Sequence, residues 1–150
     1  MRKCTFLAMA AVAALLAFGL APKAGADEGS SDLPFRGVAA GSITGVTPDG
    51  AIVVESTGQA TYLGEYTRTE YLFFGPGGTI SGTVVFTAAN GDKLAADFSG
   101  GFSSPTTLEG TYAFTGGTGR FSDATGVASF EATTPDGIHV AISFEGEISY

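Results

Sequence analysis

From Phe35 to the end of the chain, apolar and polar residues alternate in segment after segment, and no helical period is visible. The side chains of a β-strand point alternately to its two faces, so this alternation is typical of half-buried strands. The clearest example is 93–102, where Leu94, Phe98 and Phe102 share one face. Further strand segments are predicted at 36–46, 51–56, 60–74, 79–89, 107–116, 126–134 and 137–149.

Turn-forming residues separate many of these segments. They cluster as Pro48-Asp49-Gly50, Gly75-Pro76-Gly77-Gly78, Asn90-Gly91-Asp92 and Pro135-Asp136-Gly137. Such clusters form tight turns, so successive strands are predicted to be hairpin neighbours. About eight strands in this order close into a small barrel. The expected fold is therefore all-β, an eight-stranded antiparallel closed barrel, and a β-sandwich is the alternative.

Glycine recurs on the apolar face of four strands, as Gly82, Gly100, Gly110 and Gly146. A glycine in a strand interior costs about 0.5–1 kcal/mol relative to alanine, so its repeated use requires a compensating reason. Strong coiling of a small closed sheet gives that reason, because a side chain at the tightest bend would collide with its neighbours across the barrel. The pattern favours the barrel and leaves room for aromatic rings or a ligand.

The beginning of the chain has the pattern of a secretory signal peptide. Arg2 and Lys3 form a positive start, Leu7–Leu20 is almost entirely apolar, and Ala24-Gly25-Ala26 is a small-residue cleavage site. The sequence therefore predicts a signal peptide over 1–26. The alternative is that the apolar stretch is retained as a membrane anchor.

Cleavage would leave a flexible N-terminal leader over 27–34 and a single β-barrel domain over 35–150, secreted or periplasmic. It would remove Cys4, the single cysteine, so the mature protein is expected to be free of disulfides. The mature chain would keep 4 basic and 15 acidic side chains, which changes the net charge from -8 to -11. This acidity disfavours nucleic acid and anionic membranes as partners.

The sequence contains no recognisable catalytic set, so catalytic residues cannot be assigned from it. His139 is the one histidine, and zinc requires three or four nitrogen or sulfur ligands. The carboxylates are too dispersed for calcium, and Gly117-x-Gly119 does not open a helix that would bind a dinucleotide. His139 shares a polar strand face with Ser143, and we interpret it as an exposed histidine rather than the base of a catalytic triad. We expect no metal and no cofactor.

Alternation fails only in segment 60–74, where neither face is cleanly apolar. If the even-numbered residues point inward, as in the other strands, Tyr62, Tyr66, Arg68 and Glu70 form a candidate ligand site in the lumen. A mostly apolar pocket commonly acquires its few orienting polar groups in this way.

A β-bulge near Gly64 is the alternative, because a bulge exchanges the two faces of a strand. It would leave Arg68 and Glu70 in solvent and place Tyr71 and Phe73 in the core. From the sequence alone we prefer the bulge, since it buries the aromatic residues.

The stretch Thr115–Gly126 reads Thr-Gly-Gly-Thr-Gly-Arg-Phe-Ser-Asp-Ala-Thr-Gly. It resembles the Gly-Gly-Thr-Gly-x-Phe-x-x-Ala-x-Gly signature of the allene oxide cyclase-like barrel superfamily, which includes plant dirigent proteins and exported bacterial proteins. This chain looks like a member of the exported bacterial branch. The resemblance implies an eight-stranded barrel, frequently a homo-oligomer, whose lumen receives an apolar small molecule.

Within this motif we expect a structural loop at one end of the barrel. The residues concerned are Gly116, Gly117, Gly119, Phe121 and Gly126. The glycines allow a tight connection and close strand approach, and the phenylalanine can attach the loop to the barrel.

Three functional hypotheses follow. The leading one is an exported, non-enzymatic barrel that binds an apolar small molecule or acts as a structural, self-associating module. The second is an allene oxide cyclase-like or dirigent-like enzyme, an isomerase or cyclase for a lipid-like or phenolic substrate, with Tyr66, Arg68 and Glu70 as acid–base or anion-holding groups. The third is an acidic secreted surface or matrix component.

Overall fold

The computed structural model describes residues 32–150, which form a closed barrel of eight antiparallel strands. The strands are β1 (Leu33–Val46), β2 (Ile52–Ala60), β3 (Gly64–Phe74), β4 (Thr79–Ala88), β5 (Lys93–Ser104), β6 (Thr107–Gly117), β7 (Thr125–Thr133) and β8 (His139–Ser149). Each strand pairs with its sequence neighbours, and β8 closes the ring against β1. The predicted eight-stranded antiparallel barrel is confirmed, and the β-sandwich alternative is wrong.

The barrel begins two residues earlier than the predicted domain start. Leu33 and Pro34, which we expected in the flexible leader, pair with Ile148 and Glu147 of β8. The predicted signal peptide and the first part of the leader lie outside the described residues. Within 32–150 the structure contains no helix of the length and apolar character needed to cross a membrane.

The connections between strands fall alternately at the two ends of the barrel, as an antiparallel meander requires. One end carries the connections 47–51, 75–78, 105–106 and 134–138, and we call it the open end. The other end carries 61–63, 89–92 and 118–124 together with Asp32 and Tyr150, and we call it the closed end.

The motif loop seals the closed end. Gly116, Gly119 and Gly126 have positive φ angles, whereas Gly117 is the last residue of β6. Phe121 lies in a 3₁₀ turn and is fully buried, with its ring centre 5.0 Å from that of the C-terminal tyrosine. The twelve-residue motif therefore closes the barrel at the end away from the open one.

Aromatic side chains fill the interior above this loop. Phe86 packs against Tyr66 and Phe144 with ring centres 5.5 and 5.7 Å apart, and Phe35 lies 5.1 Å from Phe114. Most of these rings meet edge to face, the arrangement that their quadrupoles favour. We call Phe35, Tyr66, Phe86, Phe114 and Phe144 the aromatic layer.

The inward-facing glycines lie where adjacent strands approach too closely for a side chain. A Cβ atom on Gly82 would overlap the carbonyl oxygen of Tyr71 in the neighbouring strand. Gly100 of β5 and Gly110 of β6 lie opposite each other in the same kind of close approach. We expected a side chain at these positions to collide with residues across the barrel. In the structure it would instead collide with the backbone of the adjacent strand.

Candidate functional site

Strand β3 places Arg68 and Glu70 inside the barrel. They are 2% and 8% exposed, whereas Tyr71 and Phe73 on the other face are 41% and 39% exposed. The bulge preferred from the sequence is therefore wrong, and the alternative with the even-numbered residues inward is the arrangement found.

The irregularity in this region is a turn that precedes the strand. Residues 61–63 connect β2 to β3, and Tyr62 and Gly64 have positive φ angles of 65° and 67°. From Gly64 to Phe74 the register with β2 and β4 runs without a shift. Because the unusual backbone angles occur in the turn and at the first residue of the strand, β3 keeps the same face inward along its whole length.

The open end of the barrel leads into a pocket of about 400 Å³, which is within the size range of small-molecule sites. Its walls are mainly aliphatic and aromatic; they include Ile52, Val54, Leu72, Leu108, Phe130 and Ile142. Phe74 and Phe102 also line the pocket, stacked with ring centres 6.0 Å apart and both partly exposed. The pocket thus has an apolar interior and an aromatic rim.

Among the polar residues that line this pocket, Arg68, Glu70 and Tyr112 lie together on the side next to the aromatic layer, and we call these three the polar floor. The Nη2 atom of Arg68 donates to Oε2 of Glu70 in a buried ion pair. Nε and Nη1 of Arg68 and the hydroxyl of Tyr112 are buried and make no hydrogen bond of good geometry among residues 32–150, although Arg68 and Tyr112 lie close enough for a weak contact with each other. A buried donor without an acceptor costs about 1–3 kcal/mol, so these groups favour a ligand that supplies one.

Ring contacts and burial determine how the polar floor is charged. The guanidinium carbon of Arg68 lies 5.4 Å from the ring centre of Phe86 and 5.5 Å from that of Tyr112, within cation–π distance. Burial raises the pKa of Tyr112 above its ordinary value of 10.0, and the opposing effect of Arg68 is smaller. The tyrosine hydroxyl therefore stays protonated and can donate at neutral pH.

Two of the residues predicted for the lumen site do not reach the pocket. Tyr62 lies in the turn at the closed end, with its ring centre 5.8 Å from that of Tyr150. Tyr66 points inward but belongs to the aromatic layer, and its hydroxyl donates to the carbonyl oxygen of Val38 at 3.0 Å. Burial also raises the pKa of Tyr66 well above its ordinary value.

Sequence reasoning missed Tyr112 as a site residue because its position reads as core. Gly110, two residues earlier on the inward face of β6, gives no separate signal, because the backbone of β5 and the ring of Phe130 fill the position where its side chain would lie. The structure thus brings Arg68 and Glu70 together and adds a tyrosine from the opposite side of the barrel.

His139 lies at the exposed start of β8 and takes no part in the polar floor. Its Nδ1 atom is 2.6 Å from Oδ2 of Asp136, and hydrogen bonds from His139 hold the pKa of that carboxyl well below its ordinary value. Among residues 32–150 no three potential metal-ligating side chains lie close enough together to hold an ion.

No family model matches this sequence, and a comparison with curated proteins gives no match. Among solved structures, the chain is similar to a pterocarpan synthase dirigent protein, with a TM-score of 0.49 and 17% sequence identity. The alignment covers 86% of this chain and 96% of that chain. Membership in the allene oxide cyclase-like superfamily, and in its exported bacterial branch, stays a prediction.

Proposed function

We propose that this protein binds an apolar small molecule that carries one hydrogen-bond-accepting group. The observation that carries the proposal is the set of unsatisfied buried donors on Arg68 and Tyr112 within a mainly apolar pocket. Ligand sites combine apolar walls, which supply affinity, with a few polar groups, which fix orientation. The strands of the closed barrel hold Arg68, Tyr112 and most of the apolar wall.

The pocket is large enough for useful affinity. A ligand that buries roughly 200–300 Å² of apolar surface gains about 5–7 kcal/mol, and hydrogen bonds to a charged donor add about 1.5–3 kcal/mol. The cost of association offsets part of this gain. With about 4 kcal/mol or more lost on association, the net binding free energy is at most about 6 kcal/mol, so we expect dissociation constants of about 40 μM or weaker.

Fluorescence titration with N-phenyl-1-naphthylamine tests whether the pocket binds ligands. Ala132 lies inside the pocket, and Ala132→Phe would fill it; Ala141 is exposed on the outer face of the adjacent β8 strand, so Ala141→Phe is the matched control. We expect saturable binding by the wild type and the control, and at least tenfold weaker binding by Ala132→Phe. Circular dichroism verifies that each variant is folded. Equal binding by both variants would place the dye on the outer surface and contradict the proposal.

Mass spectrometry of a ligand after incubation with the protein separates binding from catalysis. The enzymatic hypothesis required Tyr66, Arg68 and Glu70 in one site, but the hydroxyl of Tyr66 is engaged with the backbone beneath the pocket. We therefore propose a binding protein and expect a ligand to be recovered unchanged after incubation. Chemical conversion detected by mass spectrometry would favour the isomerase or cyclase alternative.

We also propose that the mature protein is located outside the cytoplasm, because residues 1–26 have the pattern of a signal peptide. Mass spectrometry of the protein purified from its source cells should show a mature chain that starts at Asp27. An intact mass that retains the first 26 residues would contradict this part of the proposal.

A further inference from the structure

The polar floor is electrically neutral before any ligand enters. The side chains of Arg68 and Glu70 are 1% and 10% exposed and form an ion pair with each other. Among the described residues, no other charged side chain lines the pocket. The positive charge of Arg68 is therefore already compensated, although two of its nitrogen atoms still lack acceptors.

A carboxylate that entered this pocket would bring a second negative charge to a single buried cation. Its attraction to Arg68 would be opposed by repulsion from Glu70, and it would lose its hydration in an apolar cavity. A carbonyl oxygen is not repelled by Glu70, and its smaller desolvation cost is compensated when it accepts from Arg68 and from the Tyr112 hydroxyl without adding charge. Selectivity can arise from such a repulsive element as well as from attraction.

We infer that the pocket takes uncharged carbonyl compounds, such as ketones, aldehydes, esters or lactones with an apolar body, and excludes the matching carboxylates. This inference rests on the proposed binding function and names the ligand class of the same site. Glu70 is the residue that determines the selectivity, because it cancels the charge that would otherwise attract an anion.

Three naphthalenes with the same number of non-hydrogen atoms test the inference by isothermal titration calorimetry at pH 7. 2-Acetonaphthone carries a neutral carbonyl, 2-naphthoate a carboxylate, and 2-isopropylnaphthalene no polar group. We expect the wild type to bind 2-acetonaphthone at least tenfold more tightly than 2-naphthoate and several-fold more tightly than 2-isopropylnaphthalene.

Removal of the negative charge should reverse the order of affinities. Glu70→Gln keeps the size of the side chain and leaves Arg68 uncompensated, so this variant should bind 2-naphthoate more tightly than 2-acetonaphthone. The matched control is Glu65→Gln, an exposed position on the outer face of the same strand, which should keep the wild-type order. Should Glu70→Gln fail to fold, the uncharged pair Arg68→Gln/Glu70→Gln should retain the carbonyl preference.

The outcomes distinguish this inference from the function on which it rests. If the wild type binds none of the three naphthalenes, the proposed binding function fails and the inference fails with it. If they bind but 2-naphthoate equals or exceeds 2-acetonaphthone, only the ligand class is overturned. A carbonyl no tighter than 2-isopropylnaphthalene, or an unchanged order in a folded Glu70→Gln variant, would overturn the role of the polar floor.

Discussion

The buried ion pair should show strong coupling between its partners when each is replaced in turn. Arg68→Met would leave the carboxylate of Glu70 without its cation at a position where the side chain is only 10% exposed. Removing one partner of a buried pair costs about 3–5 kcal/mol. A small domain has an unfolding free energy of about 5–15 kcal/mol, so the variant should fold with reduced stability.

Glu70→Leu should cost less, about 1–3 kcal/mol, because the remaining cation keeps ring contacts that are each worth up to about 2 kcal/mol when desolvated. The guanidinium carbon of Arg68 lies 5.4 and 5.5 Å from the ring centres of Phe86 and Tyr112. The double variant Arg68→Met/Glu70→Leu removes both charges and should lie within about 1 kcal/mol of the wild type. The expected coupling free energy is therefore about 3 kcal/mol or more.

Equilibrium unfolding in urea at pH 7, followed by far-ultraviolet circular dichroism, gives the four free energies of this cycle. At roughly 3–5 °C per kcal/mol, Arg68→Met should also lower the thermal midpoint by about 10–25 °C. If the double variant loses the sum of the two single losses, the partners are independent. That result would refute a desolvated ion pair between Arg68 and Glu70.

Three further outcomes are expected. Gly82→Ala should lower the unfolding free energy in urea by about 1–3 kcal/mol, since its Cβ would overlap backbone of β3. Gly45→Ala, with no atom within 4 Å of the new Cβ, should leave the unfolding free energy unchanged or raise it by up to about 1 kcal/mol; equal losses would contradict the close-approach argument. Tyr112→Phe should leave the unfolding free energy unchanged or about 1 kcal/mol higher, because it removes an unsatisfied buried hydroxyl. The same variant should bind 2-acetonaphthone about fivefold more weakly in calorimetry; unchanged affinity would show that the hydroxyl does not contact the ligand. The pKa of Asp136 lies below its ordinary 3.8 because the His139 side chain and backbone donate hydrogen bonds to the carboxylate. The ionised carboxylate therefore contributes stability above this ordinary value, and the contribution is lost as the pH falls through the lower folded-state pKa. The wild type should exceed Asp136→Asn in thermal midpoint at pH 7, and the difference should shrink as the pH is lowered from about 5 to about 2; a difference that does not shrink would count against this linkage.

The barrel could be predicted because its local signals agree with one another. Strands β5, β6 and β8 alternate cleanly, and turn residues separate them. The glycine at position 82 carried information about coiling that a simple hydropathy pattern lacks, since only a close approach of strands explains it. The first residue of the barrel could not be predicted from local signals, because pairing of Leu33 and Pro34 with β8 depends on contacts between distant parts of the chain.

The orientation of β3 could not be predicted in the same way, because a strand that lines a pocket need not turn its more hydrophobic face inward. Hydrophobicity identifies the inner face where the interior is packed, but β3 has Arg68 and Glu70 inside and Tyr71 and Phe73 partly exposed outside. The unbroken pairing with β2 and β4 determines the true orientation. Tyr112 was missed for a related reason, since a buried aromatic residue looks the same whether it fills the core or faces a cavity.

The pairing of β1 with β8 has a consequence for the order of folding. The other pairings join consecutive strands, whereas this one joins the first and last strands of the barrel. Bringing together segments so distant in sequence carries the largest loop-closure entropy and slows folding. Until β8 is in place, β1 and β7 each present an unpaired edge to which another chain can add. A chain truncated before His139 should therefore associate through these edges rather than form a smaller stable barrel.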